Sequence, residues 1–406
     1  MAKNKFSLID LFAGAGGMSL GFEMTGRFKV LGAIDNWQPA IDTFRLNHPY
    51  IPEDRIICAG VDDYFPKRNQ KGKFEVPKWI EPNVADVLVG GPPCQGMSLA
   101  GKRIADDPRN HLFESFVSAV DFIKPKIFVM ENVPGLLSAA NGGINKAILS
   151  AFADIGYNHF DKHTPQILKA ECYGVPQIRR RLFYVGFRSD IDENLSDWPP
   201  PFIHREFERN ERDSFTADLF SCDAKRHSLP KPISVNEAIS DLPPLKSGEG
   251  SDVLEYIAPR KQLTDFQKFC RTSLPKCKID TNVVNNHEAP NHTDKLLSMI
   301  KKAEPGKSVD PKYTDSRKWH PDWPGYTVKA LGAGGGSTNR RAFHYDPSQS
   351  RGSTVRENAR IQSFPDCYRF CGAKTHQMTQ VGNAVPPLLA MHIAKVIAKK
   401  LSQHES

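Results

Sequence analysis

The 406-residue chain has no uninterrupted apolar run long enough to cross a bilayer, so no membrane-spanning helix and no membrane partner are expected. It also lacks paired cysteines at metal-binding spacing. Its eight cysteines, at 58, 94, 172, 222, 270, 277, 367 and 371, are scattered through a chain too long to be a disulfide-stapled secreted domain, and a reducing cytoplasm is expected. Cys367, Cys371 and His376 come nearest to a zinc set. A three-residue gap without a second pair reads better as ordinary core or surface cysteines, so no metal is expected. There is no internal repeat and no extended low-complexity tract. Phe6 to Phe22 superficially resembles a signal sequence, but Asp10 interrupts its apolar run and its glycines suit a turn, so it reads as folded structure. Neither charge sign dominates. Lys and Arg number 54 against 46 Asp and Glu, and the net charge of +8 permits a polyanionic partner without requiring one.

The length exceeds what one core normally organises, so two domains are expected. From residue 1 to 188, short apolar strands alternate with helical patterns, which reads as an α/β domain with a mostly parallel sheet. The expected strands are Ser7 to Phe12, Val30 to Asp35, Ile56 to Ala59, Val84 to Val89, Ile127 to Met130 and Arg181 to Phe187. Leu112, Phe113, Phe116, Val117 and Val120 recur at helical spacing and form a core stripe. Residues 189–345, with proline pairs and interspersed charge, read as a second, irregular domain. Order returns over 346–406: Val355 to Ser363 reads as helix, as does Pro386 to Leu401, whose apolar face is expected to dock on the N-terminal sheet.

The most informative segment is Val87-Leu-Val-Gly-Gly-Pro-Pro-Cys-Gln-Gly-Met-Ser98, an apolar strand ending in a glycine and proline turn that presents Cys94. In an open α/β sheet, ligands bind outside the carboxyl ends of the strands, so a thiol held there is placed as a nucleophile. The first strand runs into Phe12-Ala-Gly-Ala-Gly-Gly-Met-Ser19, a turn opening a helix and suited to an anionic ligand. The next strand ends at Asp35, where nucleotide sites place an acid for ribose hydroxyls, and Trp37 is placed to cover an adenine. Gly14, Gly16 and Gly17 do not follow the spacing that wraps a pyrophosphate. A nucleoside without diphosphate fits better, and S-adenosylmethionine is such a molecule. Glu131 ends another strand on the same crevice edge. In Gln177-Ile-Arg-Arg-Arg181, two-residue alternation puts Arg179 and Arg181 on one face with Arg180 turned away, and cations beside a cysteine favour its thiolate.

Six segments together resemble the DNA cytosine-5 methyltransferases of bacterial restriction-modification systems. They are Asp10 to Gly17, Gly91 to Ser98, Glu131 to Val133, Gln177 to Arg181, Arg356 to Pro365 and Gln380 to Pro387, in the family's order and spanning most of the chain. The resemblance implies a Rossmann-like S-adenosylmethionine-dependent sheet in 1–188, a smaller, irregular target-recognition domain in 189–345, and a return segment in 346–406. It implies that Cys94 adds to carbon 6 of a flipped cytosine while Glu131 meets ring nitrogen 3, and that Arg179 and Arg181 meet the base carbonyl and a flanking phosphate. Phe12, Ala15, Gly17, Asp35, Trp37, Pro93, Leu112, Asn383 and Val385 fall on cofactor positions, with Asp62 an adenine contact set against adjacent Asp63. The family often carries Glu where this chain has Asp35, a shorter acid of the same charge.

Gln95 to Asp107 is expected to close over the base, with Gln95 and Ser98 among the substrate contacts. Lys329, Asn339, Arg340 and Arg341, around a glycine run, are the candidates for reading DNA. The implied partners are double-stranded DNA and a cognate restriction endonuclease, acting with a monomeric, cytoplasmic enzyme. A tRNA-modifying branch of the family is the main alternative, and the Cys-Phe-Thr stretch of that branch is not in the sequence.

Overall fold

A computed structural model describes residues 5–66, 74–93, 112–159, 165–191, 198–207, 228–257, 262–272, 282–310, 316–330 and 342–404. They form two compact units. The first comprises Met1–Leu168, Arg180–Pro201 and Ala390–Ser406, and the second comprises Lys169–Arg179 and Phe202–Leu389. These bounds differ from the expected divisions after residues 188 and 345. Most of the expected return segment belongs to the second unit, because the Val355 helix is built into that unit's core.

Among the described residues the first unit has eight strands: β1 (Phe6–Leu11), β2 (Phe28–Asp35), β3 (Ile56–Cys58), β4 (Val87–Gly90), β5 (Ile127–Asn132), β6 (Tyr157–His159), β7 (Gln166–Lys169) and β8 (Arg180–Arg188). Their order is β3-β2-β1-β4-β5-β8-β6, with β7 also on β8. Strands β1 to β5 run parallel, and β8 runs antiparallel to β5 and β6. Strand β4 is buried at every residue, as its continuous apolar run requires of a parallel strand covered on both faces. The covering helices include α1 (Gly17–Met24), α2 (Gln38–Asn47), α3 (Val61–Tyr64), α4 (Leu112–Ile123) and α5 (Gly143–Asp154). Phe113, Phe116, Val117 and Val120 of α4 lie in the core as the helical spacing predicts, while Leu112 is only half-buried. Phe128 of β5 stacks on Phe152 of α5 with ring centroids 3.9 Å apart. Gly186 of β8 leaves room for that Phe128 ring, which a Cβ would overlap.

The second unit carries a two-stranded antiparallel sheet, β9 (Gly250–Glu255) with β10 (Val283–Glu288). Its helices include α6 (Val235–Ile239), α7 (Asp265–Cys270), α8 (Asp294–Lys302), α9 (Val355–Ile361) and α10 (Lys374–Asn383). Three start with capping boxes, at Ser234 with Glu237, Thr264 with Gln267 and Thr354 with Glu357. Helix α9 packs on β10, α6 and α10, and its core face is charged. Arg351, Arg356 and Arg360 are fully buried. Arg351 grips Glu357 through both oxygens at 2.9 and 2.7 Å, and Arg360 grips Asp366 at 2.9 and 2.7 Å. Asp241 bridges Arg360 and Arg271, and Arg356 donates to the carbonyls of Asn285, Pro365 and Tyr368. Burial alone would raise the pKa of Glu357, but Arg351 holds it well below the usual carboxylate range.

The last helix, α11 (Pro387–His404), buries Leu389, Ile393, Val396, Ile397 and Leu401, the face read from the sequence. Residues from Ala390 belong to the sheet-bearing unit, and Arg27, just before β2, donates to the Ser402 hydroxyl at 2.7 Å. Within Lys374–His404 lies a window apolar enough and long enough to cross a membrane by composition, of which 72% is buried in the protein as in a core helix.

Asp10, the penultimate residue of β1, is almost completely buried, and its Oδ2 accepts the Ser19 hydroxyl of α1 at 2.6 Å. Burial raises its pKa from 3.8 to about 7, with the Ser19 bonds opposing and nearby Asp35 adding to the rise. The folded state therefore holds a proton that the unfolded chain releases near its ordinary pKa, and stability falls as pH rises from there through about 7. In Asp10→Asn the amide oxygen can still accept from Ser19 and this fall is absent. Urea unfolding at about pH 5 and about pH 8 is expected to show the variant gaining on the wild type by about 2–3 kcal/mol between the two.

Candidate active site

In the first unit the chain proceeds from β1 to β2 and β3 on one side, then returns to β4 on the other, so the order reverses between β1 and β4. A crevice outside the carboxyl ends of strands at such a point is where open α/β sheets bind ligands. The registers Leu11↔Ile34, Leu11↔Gly90 and Gly90↔Met130 bring the ends of β1, β2, β4 and β5 to one edge.

The turn after β1 is shaped by left-handed residues: Phe12 at φ 55°, Gly14 at 53° and Gly16 at 81°. For a bulky Phe that backbone costs on the order of 1–3 kcal/mol, a strain that tends to be kept at functional sites. Asp35 secures the turn. Its Oδ2 accepts the Gly14 N–H at 2.8 Å and its Oδ1 the Trp37 N–H at 2.9 Å, while burial, against those two amides, raises its pKa. Asp35 thus organises the glycine turn from the strand-end position assigned to a ribose contact. A Cβ on Gly14 would meet nothing within 4 Å, and α1 starts at Gly17 without a side-chain cap. Open space beside a helix start fits a ligand bearing a carboxylate. Ala15 and Gly17 are buried in this turn. At α3, Asp63 accepts the Gly60 N–H at 2.8 Å as a cap, while Asp62 is exposed.

At the ends of β4 and β5, the Nε of Arg181 meets Glu131 Oε1 at 2.8 Å. Glu131 pairs with Phe183 in the antiparallel register, which makes Arg181 its diagonal neighbour on the same face. Both side chains are mostly buried, at 12% exposure for Glu131 and 16% for Arg181. Burial lowers the pKa of Arg181, and the Glu131 carboxylate acts against that. A Cβ on Gly91 would lie 3.2 Å from Glu131 Oε2, so a glycine there lets the carboxylate lie close over the turn. Asn132 donates to the Pro92 carbonyl at 3.0 Å and fixes the two prolines that lead to position 94. Cys94, Gln95 and Ser98, with the loop to Asp107, lie outside the described residues, as do Asn339, Arg340 and Arg341.

Arg180 is exposed, as the alternation predicts. Arg179, expected together with Arg181 at the base carbonyl and a flanking phosphate, has main-chain partners of its own. It is buried in the second unit and donates to three main-chain carbonyls, Val328 at 3.2 Å, Gly382 at 2.9 Å and Ala384 at 3.0 Å. Asn383 is exposed at the end of α10, Val385 is buried and Lys329 is half-buried. The sequence reading missed the supporting roles of Asn132 and Gly91. The only signals were a polar residue after Glu131 and a second glycine before the prolines. Among the described residues, no three His, Cys, Asp or Glu side chains cluster as metal ligands, and Cys367 lies in the core.

The sequence profile of the C-5 cytosine-specific DNA methylases matches residues 6–399. The chain is 34% identical to the Type II methyltransferase M.DdeI of Desulfomicrobium norvegicum, over 97% of this chain and 88% of that protein. It is also 34% identical to M1.HphI of Haemophilus parahaemolyticus, over 96% and 86%. A prophage-encoded DNA modification methyltransferase of E. coli has a similar structure, with TM-score 0.71, 25% identity and coverage of 98% of this chain and 100% of that one. The S. pombe Dnmt2 methyltransferase shares the fold at TM-score 0.52 and 13% identity, covering 99% and 100%. With its α/β sheet, the reversal of strand order between β1 and β4 and a profile match over nearly its whole length, this chain belongs to the C-5 cytosine-specific DNA methylase family.

Proposed function

We propose that the protein methylates carbon 5 of cytosine within a specific duplex sequence, as the modification enzyme of a restriction-modification system. The observation that carries this reading is the Glu131–Arg181 pair at the crevice edge, beside the Gly91-Pro92-Pro93 turn that leads into Cys94. Carbon 5 of cytosine is a poor nucleophile until a thiolate adds at carbon 6. Cys94 makes that addition to a base flipped out of the duplex, at an unpairing cost of about a few kcal/mol recovered in the pocket. Glu131 hydrogen-bonds or protonates ring nitrogen 3, where the electron pair displaced by the addition accumulates. Arg181 holds one Glu131 oxygen and brings a cation to the base carbonyl. After methyl transfer the carbon 5 proton is lost and Cys94 is eliminated.

S-adenosylmethionine supplies the methyl group when bound. Phe12, Ala15 and Gly17 form its carboxylate cradle, Asp35 and Trp37 take ribose and adenine, and Pro93, Leu112, Asn383 and Val385 complete the contacts. With Asp63 engaged as a helix cap, Asp62 is the acid of that pair assigned to adenine. Gln95 and Ser98 hold the flipped base, and Lys329, Asn339, Arg340 and Arg341 meet the duplex. The relatives' designation as Type II methyltransferases supports a cognate endonuclease as functional partner, and a monomer in the cytoplasm suits this role.

Bisulfite sequencing of DNA from expressing cells is expected to show one methylated sequence; methyl transfer confined to tRNA would overturn the reading. A duplex with 5-fluorocytosine at that site is expected to trap a covalent adduct with wild type and none with Cys94→Ser. Glu131→Gln is expected to lower kcat by about 10²–10⁴-fold, the usual range for a general acid or base. Gly91→Ala, which crowds Glu131 by a few tenths of an ångström, is expected to cost roughly 10-fold in kcat with little change in melting temperature.

A further inference from the structure

Arg179 is buried, and three of the five N–H donors of a guanidinium go to carbonyls in two separate stretches, Val328 in one and Gly382 with Ala384 in the other. Gln177 works beside it. Its side-chain oxygen accepts the Val328 N–H at 3.0 Å, and its amide nitrogen donates to the Ile361 carbonyl at 3.2 Å and to Gln362. Gln362 in turn donates to the Ala384 carbonyl. Where the two stretches meet, Gly382 lies so close to the main chain of Lys329 and Ala330 that a Cβ would overlap it. Two segments distant in sequence are thereby fastened by charge-assisted hydrogen bonds and main-chain contact, with a single guanidinium common to both.

We infer that Arg179 is a positioning residue that makes Val328–Ala330, which carries the proposed duplex contact Lys329, and the Gly382–Ala384 turn move as one body, coupling DNA engagement to cofactor binding. This rests on the reading above, in which Asn383 and Val385 touch the cofactor and Lys329 meets the duplex. A ligand that orders the 382–385 turn lowers the freedom of Val328–Ala330 through the shared clamp, and linkage requires the converse. A lysine at 179 keeps the charge but has one nitrogen in place of a planar fork, so it cannot hold both stretches.

The test is hydrogen exchange of the full-length protein with and without S-adenosylhomocysteine, whose binding is followed separately by calorimetry. In wild type, the ligand is expected to slow exchange at both 382–385 and 328–330, by about 5-fold or more at the second site. In Arg179→Lys, and independently in Gly382→Ala, protection is expected at 382–385 alone, with melting transitions still cooperative. Two variants that open the junction through different atoms separate loss of coupling from a general loss of fold. Protection of 328–330 persisting in both variants, or absent in wild type that binds the ligand, would overturn the clamp. No calorimetric binding at all would instead remove the cofactor reading, and the coupling with it.

Discussion

The chemistry proposed for this protein depends on one strand running the wrong way. Strands β1 to β5 are parallel and can deliver only their carboxyl-terminal residues to the crevice edge. Because β8 runs against β5, its first residues reach that same edge, and Arg181 arrives diagonally across from Glu131. A parallel strand in that place would have sent the arginine to the far side of the sheet. Once the pair is formed, the rest of the edge is arranged to suit it: Gly91 yields space to the carboxylate, and Asn132 pins Pro92. The acid is therefore held by geometry set in the hydrogen-bond ladder, with little side-chain freedom left to lose on binding.

The second unit solves a different problem with the same residue types. Around α9, Arg351, Arg356 and Arg360 are packed into an interior with Glu357, Asp366, Asp241 and a row of carbonyls. Such a network is weak as a source of net stability, since removing charges from water costs several kcal/mol per ion, but deleting one partner leaves an uncompensated charge at about 3–5 kcal/mol. Its value lies in definition. A unit with a two-stranded sheet and short helices has few extended apolar faces, and directional bonds fix loops that hydrophobic packing alone would leave loosely specified.

Much of the sheet was legible because its strands are apolar runs bounded by glycine, proline and acid. Strands β1, β2, β3, β5 and β8 fall within a few residues of the expected positions, and β4 begins at Val87 where Val84 was read. Strands β6 and β7 were missed, being short, polar and defined by pairing to β8. In the second unit β9 is exposed at most of its residues, so it offers no alternation to read. Its three capping boxes were present in the sequence and went unused. The place of the segment after residue 345 is not legible from sequence, because a helix rich in arginine gives no sign that its charges are interior. At the site, the alternation in Gln177 to Arg181 correctly separates Arg180 from its neighbours. It says nothing of what each neighbour touches, and only the structure distinguishes the carbonyl partners of Arg179 from the carboxylate partner of Arg181.

That triplet carries a consequence for tolerance to change. Arg179 is committed to one set of partners and Arg181 to another, with the intervening residue facing water, so the pattern is written in chain length as much as in chemistry. Replacing Arg180 alters an exposed surface. Inserting or deleting one residue between Gln177 and Leu182 would shift the strand by a single step and turn each side chain to the opposite face, exchanging the solvated guanidinium for a functional one. The segment is a ruler: it can absorb rewording at its middle position and has no slack for an extra letter.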